Sequence, residues 1–273
     1  MKMTVNLKDR SYPILIESGA LSHIDTILDV NRKLALIADD AIPEQWIQMI
    51  KDQCPNSFVI RFPQGEASKC FSQYENLLKQ CIDHDMTRKD AIVAIGGGVT
   101  GDLAGFVASS YMRGIDFYNI PTTLLAQVDS SVGGKVAIDV ASYKNIVGAF
   151  HQPKGVIIDP DVLSTLSQRQ IHNGLVEALK TGLIQDEKLV ELFEQDTLDI
   201  PQIIERSINV KRQVVEQDEK ESGLRKILNF GHTIGHAIEG AYGLDTYLHG
   251  ECVAMGMLFF IEDQPLKERV LSI

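Results

Sequence analysis

The chain has 273 residues, of which 44% are hydrophobic and 23% are charged. This composition excludes a wholly disordered protein, and at about 150 residues per domain the length predicts one large domain or two smaller ones. The formal net charge of −11 disfavours nucleic acid and anionic membranes as partners, so an anionic ligand needs a local cluster of Lys and Arg.

Cysteine spacing and hydropathy bear on where the protein works. The four Cys lie far apart without a C-x-x-C pair, which favours reduced thiols over a disulfide framework or a zinc-thiolate site. The N-terminus has no apolar signal region. The apolar stretch at residues 252–261 is shorter than the roughly 20 residues that span a bilayer. We therefore expect a cytoplasmic protein.

Apolar runs in the first part of the chain alternate with helical periodicity. The runs predict buried strands at residues 12–16, 34–38, 57–62 and 91–95. Since they are apolar throughout and helical stretches such as 69–85 separate them, they indicate a mostly parallel sheet covered on both faces. Further on, the periodicity predicts helices at residues 173–185, 188–195, 202–219 and 232–241. We predict an α/β domain over residues 1–160 and an all-helical domain over residues 161–273.

A triple glycine follows the strand predicted at residues 91–95. Gly96, Gly97 and Gly98 lead towards a helix predicted at residues 103–111. Glycines let the backbone approach a ligand closely, and a helix N-terminus suits a pyrophosphate. The pattern is not G-x-G-x-x-G, however, and a tight turn without a ligand explains the loop equally well.

Two further strand ends carry charged residues. Asp39 follows the strand at residues 34–38, where a carboxylate can accept hydrogen bonds from ribose hydroxyls, although capping of a loop is the simpler explanation of this residue alone. Glu66 and Lys69, after the strand at residues 57–62, offer an acid and a base in a second turn. Taken alone, that turn is equally a helix N-terminus with an exposed capping charge.

Histidines and one carboxylate in the helical part have the composition of a metal site. His232 and His236 lie four residues apart on one helical face, and His249 begins a later helix. Glu177 stands three residues before Lys180. Two imidazoles and a carboxylate with an open position make a catalytic zinc site, but the absence of H-E-x-x-H argues against a zinc protease. Spacing alone does not decide which histidines are ligands, and each could be an ordinary buried imidazole.

Six stretches of the chain follow one another in a fixed order: GGGVTGD at 96–102, PTTLLAQVDSSVGGK at 121–135, KN at 144–145, GLVEALK at 174–180, LNFGHTIGH at 228–236 and HGE at 249–251. Together they resemble one known family, the 3-dehydroquinate synthases, over nearly the whole chain. The resemblance implies conversion of 3-deoxy-D-arabino-heptulosonate 7-phosphate to 3-dehydroquinate and phosphate, in the shikimate pathway of aromatic amino acid biosynthesis. It also implies NAD that is reduced and reoxidised within one turnover.

The resemblance also implies roles for individual residues. One divalent metal ion, zinc or cobalt, is expected on Glu177, His232 and His249. The residues expected to bind the dinucleotide are Asp39, Gly65, Glu66, Lys69, Gly96, Gly97, Gly98, Asp102, Thr122, Thr123, Lys135, Lys144 and Thr165. The residues expected to contact or transform the substrate are Arg113, Asp129, Lys135, Asn145, Lys180, Lys211, Arg225, Asn229 and His236. Arg113 is expected to reach the substrate phosphate, across the interface of a homodimer.

The chain departs from the family at its C-terminal end. Members of the family continue well past the helix that begins at His249, and the stretch at residues 262–273 looks unlike that continuation. We expect a truncated form with reduced or no activity and with exposed apolar helix faces. Other functions to be weighed are a related sugar-phosphate cyclase, a metal-dependent polyol dehydrogenase, and a non-catalytic remnant that only binds NAD or a partner.

Overall fold

The structure is a computed structural model that describes residues 1–141, 143–242 and 246–273. It divides into two compact units, Met1–Thr165 and Leu166–Ile273. None of the helices in the described part of the chain combines the length and the apolar character that a membrane span needs.

The first unit is built on a seven-stranded sheet with the order β1-β2-β9-β6-β5-β3-β4. The strands are β1 Lys2–Val5, β2 Tyr12–Ile16, β3 Leu34–Asp39, β4 Ser57–Phe62, β5 Ala91–Gly96, β6 Asp116–Pro121, β7 Lys135–Val140, β8 Tyr143–Phe150 and β9 Gly155–Ile158. All neighbours in the large sheet are parallel except β1 and β2. The other two strands, β7 and β8, form a separate antiparallel pair. The four strands predicted from sequence are present, and the predicted mostly parallel α/β sheet is confirmed.

The strand β3 shows why these runs are apolar throughout. Leu34 and Leu36 belong to the core on one face of the sheet, whereas Ala35 and Ile37 belong to the core on the other face. All four residues are fully buried. Successive side chains of a strand point to opposite faces, so a strand covered on both sides has no polar position to spare.

Three α-helices belong to the first unit and six to the second, in the described part of the chain. They are α1 Glu44–Lys51, α2 Phe71–Asp83, α3 Gly98–Ser110, α4 Gln168–Gln185, α5 Glu187–Phe193, α6 Ile200–Gln217, α7 His232–Tyr242, α8 His249–Phe260 and α9 Gln264–Ser272. Ser167, Asp186 and Asp199 cap α4, α5 and α6 by accepting hydrogen bonds from backbone N–H groups of the first turn. Such caps satisfy donors that the helix itself leaves unpaired.

The prediction that the helix after the triple glycine begins at residue 103 was wrong. The helix α3 begins at Gly98, and its glycines serve packing. A Cβ on Gly105 would lie 2.4 Å from Val136 Cγ1, and a Cβ on Gly101 would lie 3.1 Å from Asn119 Nδ2. Low helix propensity made this stretch look like a loop, but close contact with β6 and β7 requires residues without side chains.

Candidate active site

The glycine turn joins the end of β5 to α3 at the carboxyl edge of the sheet. The Thr122 N–H donates to the Gly96 carbonyl at 2.9 Å, which ties this turn to the end of β6. A Cβ on Gly97 would lie 3.1 Å from Thr123 Cγ2, and one on Gly98 would lie 3.3 Å from Ser130 Oγ. The missing side chains leave a cradle beside the first N–H groups of α3, which fits a pyrophosphate at a helix N-terminus.

Asp39 is the last residue of β3, the neighbour of β5, so it lies at the same edge of the sheet. Its Oδ2 accepts a hydrogen bond from Thr100 Oγ1 at 3.2 Å, and its Oδ1 accepts one from the Ala41 N–H at 3.0 Å. Burial raises the pKa of Asp39 above its ordinary value, although these hydrogen bonds oppose the shift. A carboxylate held in this way beside the glycine turn can accept a hydrogen bond from a ribose hydroxyl.

Lys69, in the turn after β4, is a buried cation surrounded by partly exposed polar and acidic side chains. Its Nζ lies 2.6 Å from Asp102 Oδ2 and 3.8 Å from Glu66 Oε1, and it donates to Asn145 Oδ1. Burial disfavours the ammonium, but the charges of Asp102 and Glu66 outweigh it and raise the pKa of Lys69. The expected substrate residue Asn145 is therefore held among residues expected to bind the dinucleotide. Its backbone N–H donates to Asp139 Oδ1 at 2.7 Å, a contact that sequence reasoning missed.

The other candidates of the first unit take several positions. Gly65 has a φ of +106°, a conformation that favours glycine, and Thr122 is buried at the end of β6. Thr165 Oγ1 donates to the Val162 carbonyl at 3.1 Å. Arg113 is exposed in a left-handed conformation with a φ of +70°. Three further candidates are solvent-accessible to different degrees: Asp129, Lys135 and Lys144.

Glu177, His232 and His249, which the family resemblance implies as metal ligands, lie close together in the second unit. Glu177 on α4 is fully buried, and its Oε1 lies 3.6 Å from His249 Nε2 and 3.9 Å from His232 Nε2. One ligand atom from each of the three lies within 4.8 Å of the others. Within the described residues Oε1 has no hydrogen-bond partner. A buried carboxylate oxygen costs free energy unless a cation or a donor satisfies it, so this donor set fits a divalent ion.

The second ring nitrogen of each histidine faces an oxygen. His232 Nδ1 lies 3.2 Å from the Phe230 carbonyl oxygen, and His249 Nδ1 lies 2.7 Å from Glu239 Oε1. Burial lowers the pKa of His232 below its ordinary value. Burial acts in the same direction on His249, but its hydrogen bond to Glu239 and the charge of Glu177 prevail and raise its pKa. Both rings thus turn Nε2 towards Glu177.

Lys180 lies one helical turn after Glu177 and is almost completely buried. Its Nζ is 2.5 Å from Glu177 Oε2. One oxygen of the Glu177 carboxylate, Oε2, therefore contacts the Lys180 ammonium, and the other, Oε1, faces the imidazoles of His232 and His249. Such a pair can hold an anionic or hydroxyl group of a ligand close to a bound cation.

The remaining substrate candidates of the second unit lie on α6, on the segment before α7, and on α7. Lys211 and Arg225 are buried, and His236 is exposed. The loop before Arg225 is organised by Asp218, which accepts hydrogen bonds from the backbone N–H groups of Gly223 at 2.7 Å and Arg225 at 3.0 Å. Asp218 was not among the sequence candidates.

Asn229 lines an open cavity of about 610 Å³ in the second unit. Its Nδ2 donates to Glu221 Oε1 at 2.9 Å, so the amide and the carboxylate face the cavity as a pair. The complete lining is Glu221, Lys226, Ile227, Asn229, Phe230, Gly231, Thr233 and Phe260. Asn229 was a candidate from the sequence, whereas Glu221 was not, because its φ of +58° marks a strained turn that no periodicity signals.

Comparison with known proteins identifies the class. The structure superposes on 2-deoxy-scyllo-inosose synthase complexed with carbaglucose-6-phosphate, NAD+ and Co2+, with a TM-score of 0.87 and 32% identity, covering 95% of this chain and 75% of that one. A 2-epi-5-epi-valiolone synthase from Streptomyces hygroscopicus, with NAD+ and Zn2+ bound, matches with a TM-score of 0.87 and 26% identity, covering 98% and 80%. The fold is that of the sugar phosphate cyclases, which are NAD- and metal-dependent lyase-type enzymes.

Two family models narrow this class. The model described as 3-dehydroquinate synthase N-terminal matches residues 59–173, and the one described as 3-dehydroquinate synthase C-terminal matches residues 174–267. The 3-dehydroquinate synthase of Lactococcus lactis subsp. cremoris is 48% identical, over 94% of this chain and 77% of its own length. The chain belongs to the 3-dehydroquinate synthase family, as the sequence motifs implied.

Proposed function

We propose that this chain converts 3-deoxy-D-arabino-heptulosonate 7-phosphate to 3-dehydroquinate and inorganic phosphate, using NAD and one divalent metal ion. The observation that carries the proposal is the Glu177 Oε1 atom, buried without a hydrogen-bond donor in the described structure and facing Nε2 of His232 and of His249. The names of the relatives at 44–48% identity support it.

Glu177, His232 and His249 would hold the metal ion, and the glycine cradle with Asp39 would hold the dinucleotide. When bound, NAD supplies a hydride acceptor that is restored within one turnover, and the metal ion supplies positive charge that polarises an alcohol oxygen. The chain provides orientation and charge for that chemistry. Asp39 would accept a hydrogen bond from a ribose hydroxyl, and Lys69 would orient the first turn of α3 through its ion pair with Asp102.

Lysine and arginine side chains recognise the anionic ends of the substrate. Lys180, Lys211 and Arg225 are buried cations in a protein of net charge −11, and Lys180 already pairs with Glu177. A cation held in the interior attracts an anionic ligand more strongly than an exposed one does, because the lower dielectric there strengthens the interaction between charges. In our proposal they bind the carboxylate and hydroxyl groups, while Arg113 reaches the phosphate. Arginine can grip a phosphate with two parallel hydrogen bonds, whereas lysine acts as a point charge.

Proton transfer at the reacting carbon does not require a dedicated protein base. The phosphate that leaves in the β-elimination is itself basic and can take the neighbouring proton. The side chains of this site are accordingly cations and hydrogen-bonding groups that hold the phosphate in place. Asn229 and His236 complete the set of candidate contacts on the substrate.

The proposal also covers the identity of the metal, the oligomeric state and the location of the protein. Zinc is the expected metal, with cobalt as the alternative, because a carboxylate with two imidazoles suits both ions. The protein acts as a homodimer in the cytoplasm. Sedimentation equilibrium of the full chain checks the dimer, and a mass of one chain would remove Arg113 from its expected role across the interface.

The experiment is an assay of the 273-residue chain with NAD, Zn2+ or Co2+, and the heptulosonate phosphate. We expect release of inorganic phosphate without net NADH, and a product with the mass and NMR spectrum of 3-dehydroquinate. Glu177→Gln and Lys180→Met should abolish the release, whereas the matched exposed variants Glu191→Gln and Lys188→Met should not. Stoichiometric NADH would instead indicate a dehydrogenase, and turnover only of other sugar phosphates would indicate a related cyclase.

A further inference from the structure

Glu239 is a buried carboxylate that none of the roles above uses. It lies on α7, seven residues after His232, so the two side chains share one face of the helix. Only 4% of Glu239 is exposed. Its Oε1 lies 2.7 Å from Nδ1 of His249, the first residue of α8.

We propose that Glu239 is the positioning residue of the metal site: it accepts a hydrogen bond from the N–H at His249 Nδ1 and thereby presents the Nε2 lone pair to the ion. This inference deepens the proposed function and rests on it. A neutral imidazole carries one proton, which can sit on either nitrogen, and only the unprotonated nitrogen can bind a metal. A carboxylate at Nδ1 selects the tautomer that leaves Nε2 available.

The Nδ1 atoms of His232 and His249 face different kinds of acceptor. The His232 ring is held by the Phe230 carbonyl, a backbone acceptor only two residues away. The side chain of His249 is 31% exposed, against 14% for His232. The more exposed ring has more freedom to turn or to change tautomer, so it needs the stronger, charged acceptor.

Close packing of α7 against α8 sets the distance between Glu239 and His249. A Cβ on Gly235 would lie 3.1 Å from the Cys252 carbonyl oxygen, and a Cβ on Gly256 would lie 2.0 Å from the Gly231 carbonyl oxygen. The two helix backbones therefore approach each other where only glycine fits. The packing of α7 against α8 therefore holds the Glu239 carboxylate in a defined position relative to the His249 imidazole.

Glu239 also forms a second possible ligand group with His236 and His249. If Oε1 were a direct ligand, that atom would have to leave the short contact with Nδ1. The 2.7 Å distance favours the hydrogen-bonded role, and the fully buried Glu177 Oε1, which faces Nε2 of the same ring, supplies the carboxylate on the metal side.

The test uses the full chain depleted of metal and does not depend on turnover. Zn2+ and Co2+ are titrated into the wild-type chain, Glu239→Gln and Glu239→Leu, in competition with a chromophoric chelator. We expect one ion per chain in all three, with affinity falling from wild type to Gln to Leu and by about 10- to 100-fold in the Leu variant. The exposed control Glu191→Gln should bind as the wild type does.

A second readout reports the tautomer directly and separates positioning from simple packing. Long-range 15N–1H NMR of the metal-depleted chain, at a pH where the imidazole is neutral, should show the His249 proton on Nδ1, with the resonance assigned by its loss in His249→Gln. In Glu239→Leu the Nε2-protonated form should appear, while circular dichroism shows the helices intact. Glu239→Gln keeps the size of the side chain and a neutral hydrogen-bond acceptor. The same NMR measurement is made on this variant if Glu239→Leu does not fold.

Three results would overturn the inference: an Nε2-protonated His249 in the wild-type chain, unchanged affinity in both variants, or a second bound ion that is lost with Glu239. Failure of the proposed function has a different signature. In that case phosphate release is absent while the dependence of tautomer and affinity on Glu239 persists.

Discussion

Lys180 Nζ lies 2.5 Å from Glu177 Oε2, one turn apart on α4, with side-chain exposures of 2% and 0%. The pair places opposite charges in the interior of the helical unit. Removing Lys180 alone leaves the Glu177 carboxylate buried without its ammonium.

The first prediction concerns the stability of this pair. In the metal-depleted chain, Lys180→Met should lower the free energy of unfolding by about 3–5 kcal/mol, because Glu177 then stays buried without its ammonium. The double variant Glu177→Gln/Lys180→Met should recover most of that loss. Urea unfolding measures both, with Lys188→Met as the exposed control. Strictly additive effects of the two single changes would contradict the coupling.

The second prediction concerns which histidines bind the metal. Zn2+ at 100 times its dissociation constant should stabilise the wild-type chain by about 2.7 kcal/mol, since an ion that binds only the folded state shifts the equilibrium. His232→Gln should lose this stabilisation, and His236→Gln should keep it. Thermal unfolding with and without EDTA is the measurement. The reverse pattern would transfer the site to the group formed by His236, Glu239 and His249.

The third prediction concerns the nucleotide site. Asp39→Asn should weaken NAD binding by about 10- to 100-fold, because a hydrogen bond to a charged group contributes about 1.5–3 kcal/mol. Fluorescence or calorimetric titration with NAD measures this loss. Unchanged affinity would leave Asp39 with only its contacts to Thr100 and Ala41.

Asp39 should also make the stability of the folded chain depend on pH, and Asp39→Asn tests this. Because burial raises the pKa of Asp39 in the folded chain, the folded state keeps the proton of this carboxyl to a higher pH than the unfolded state does. Ionisation of Asp39 therefore costs stability progressively as the pH rises through this range. The stability of Asp39→Asn relative to wild type should increase from acidic to neutral pH in urea unfolding. A constant difference would show that the pKa is not raised.

The fourth prediction separates two glycines of the turn. In Gly96→Ala the new Cβ would lie 2.3 Å from Thr100 Oγ1, so we expect a loss of about 1–3 kcal/mol of stability from overpacking. In Gly98→Ala the nearest atom is Ser130 Oγ at 3.3 Å, a hydroxyl that can rotate away. That variant should fold normally but bind NAD more weakly, because its methyl group stands in the cradle. Gly240→Ala, with no atom within 4 Å of its Cβ, is the control for both readouts.

The strand and helix patterns of the sequence predicted much of the fold. Runs such as Leu34 to Ala38 are continuously apolar because both faces of the sheet are covered, and the sequence signals that directly. The prediction missed β6, whose Asp116, Asn119 and Pro121 hide a buried strand, and it placed the start of α3 too late. In both cases a tertiary contact, such as that between Asn119 and Gly101, decided against local propensity.

The sequence by itself determined the family and the residue types of the site, since long ordered motifs and the pairing of imidazoles with a carboxylate are properties of the linear chain. Spacing did not decide between His232, His236 and His249, nor did it reveal a role for Glu239. Only the tertiary structure settled which atoms face one another, because α4, α7 and α8 are distant in sequence and their side chains meet through packing. A sequence pattern predicts which residues share one face of a helix. The distances between candidate metal ligands on α4, α7 and α8 depend on how these three helices pack against one another.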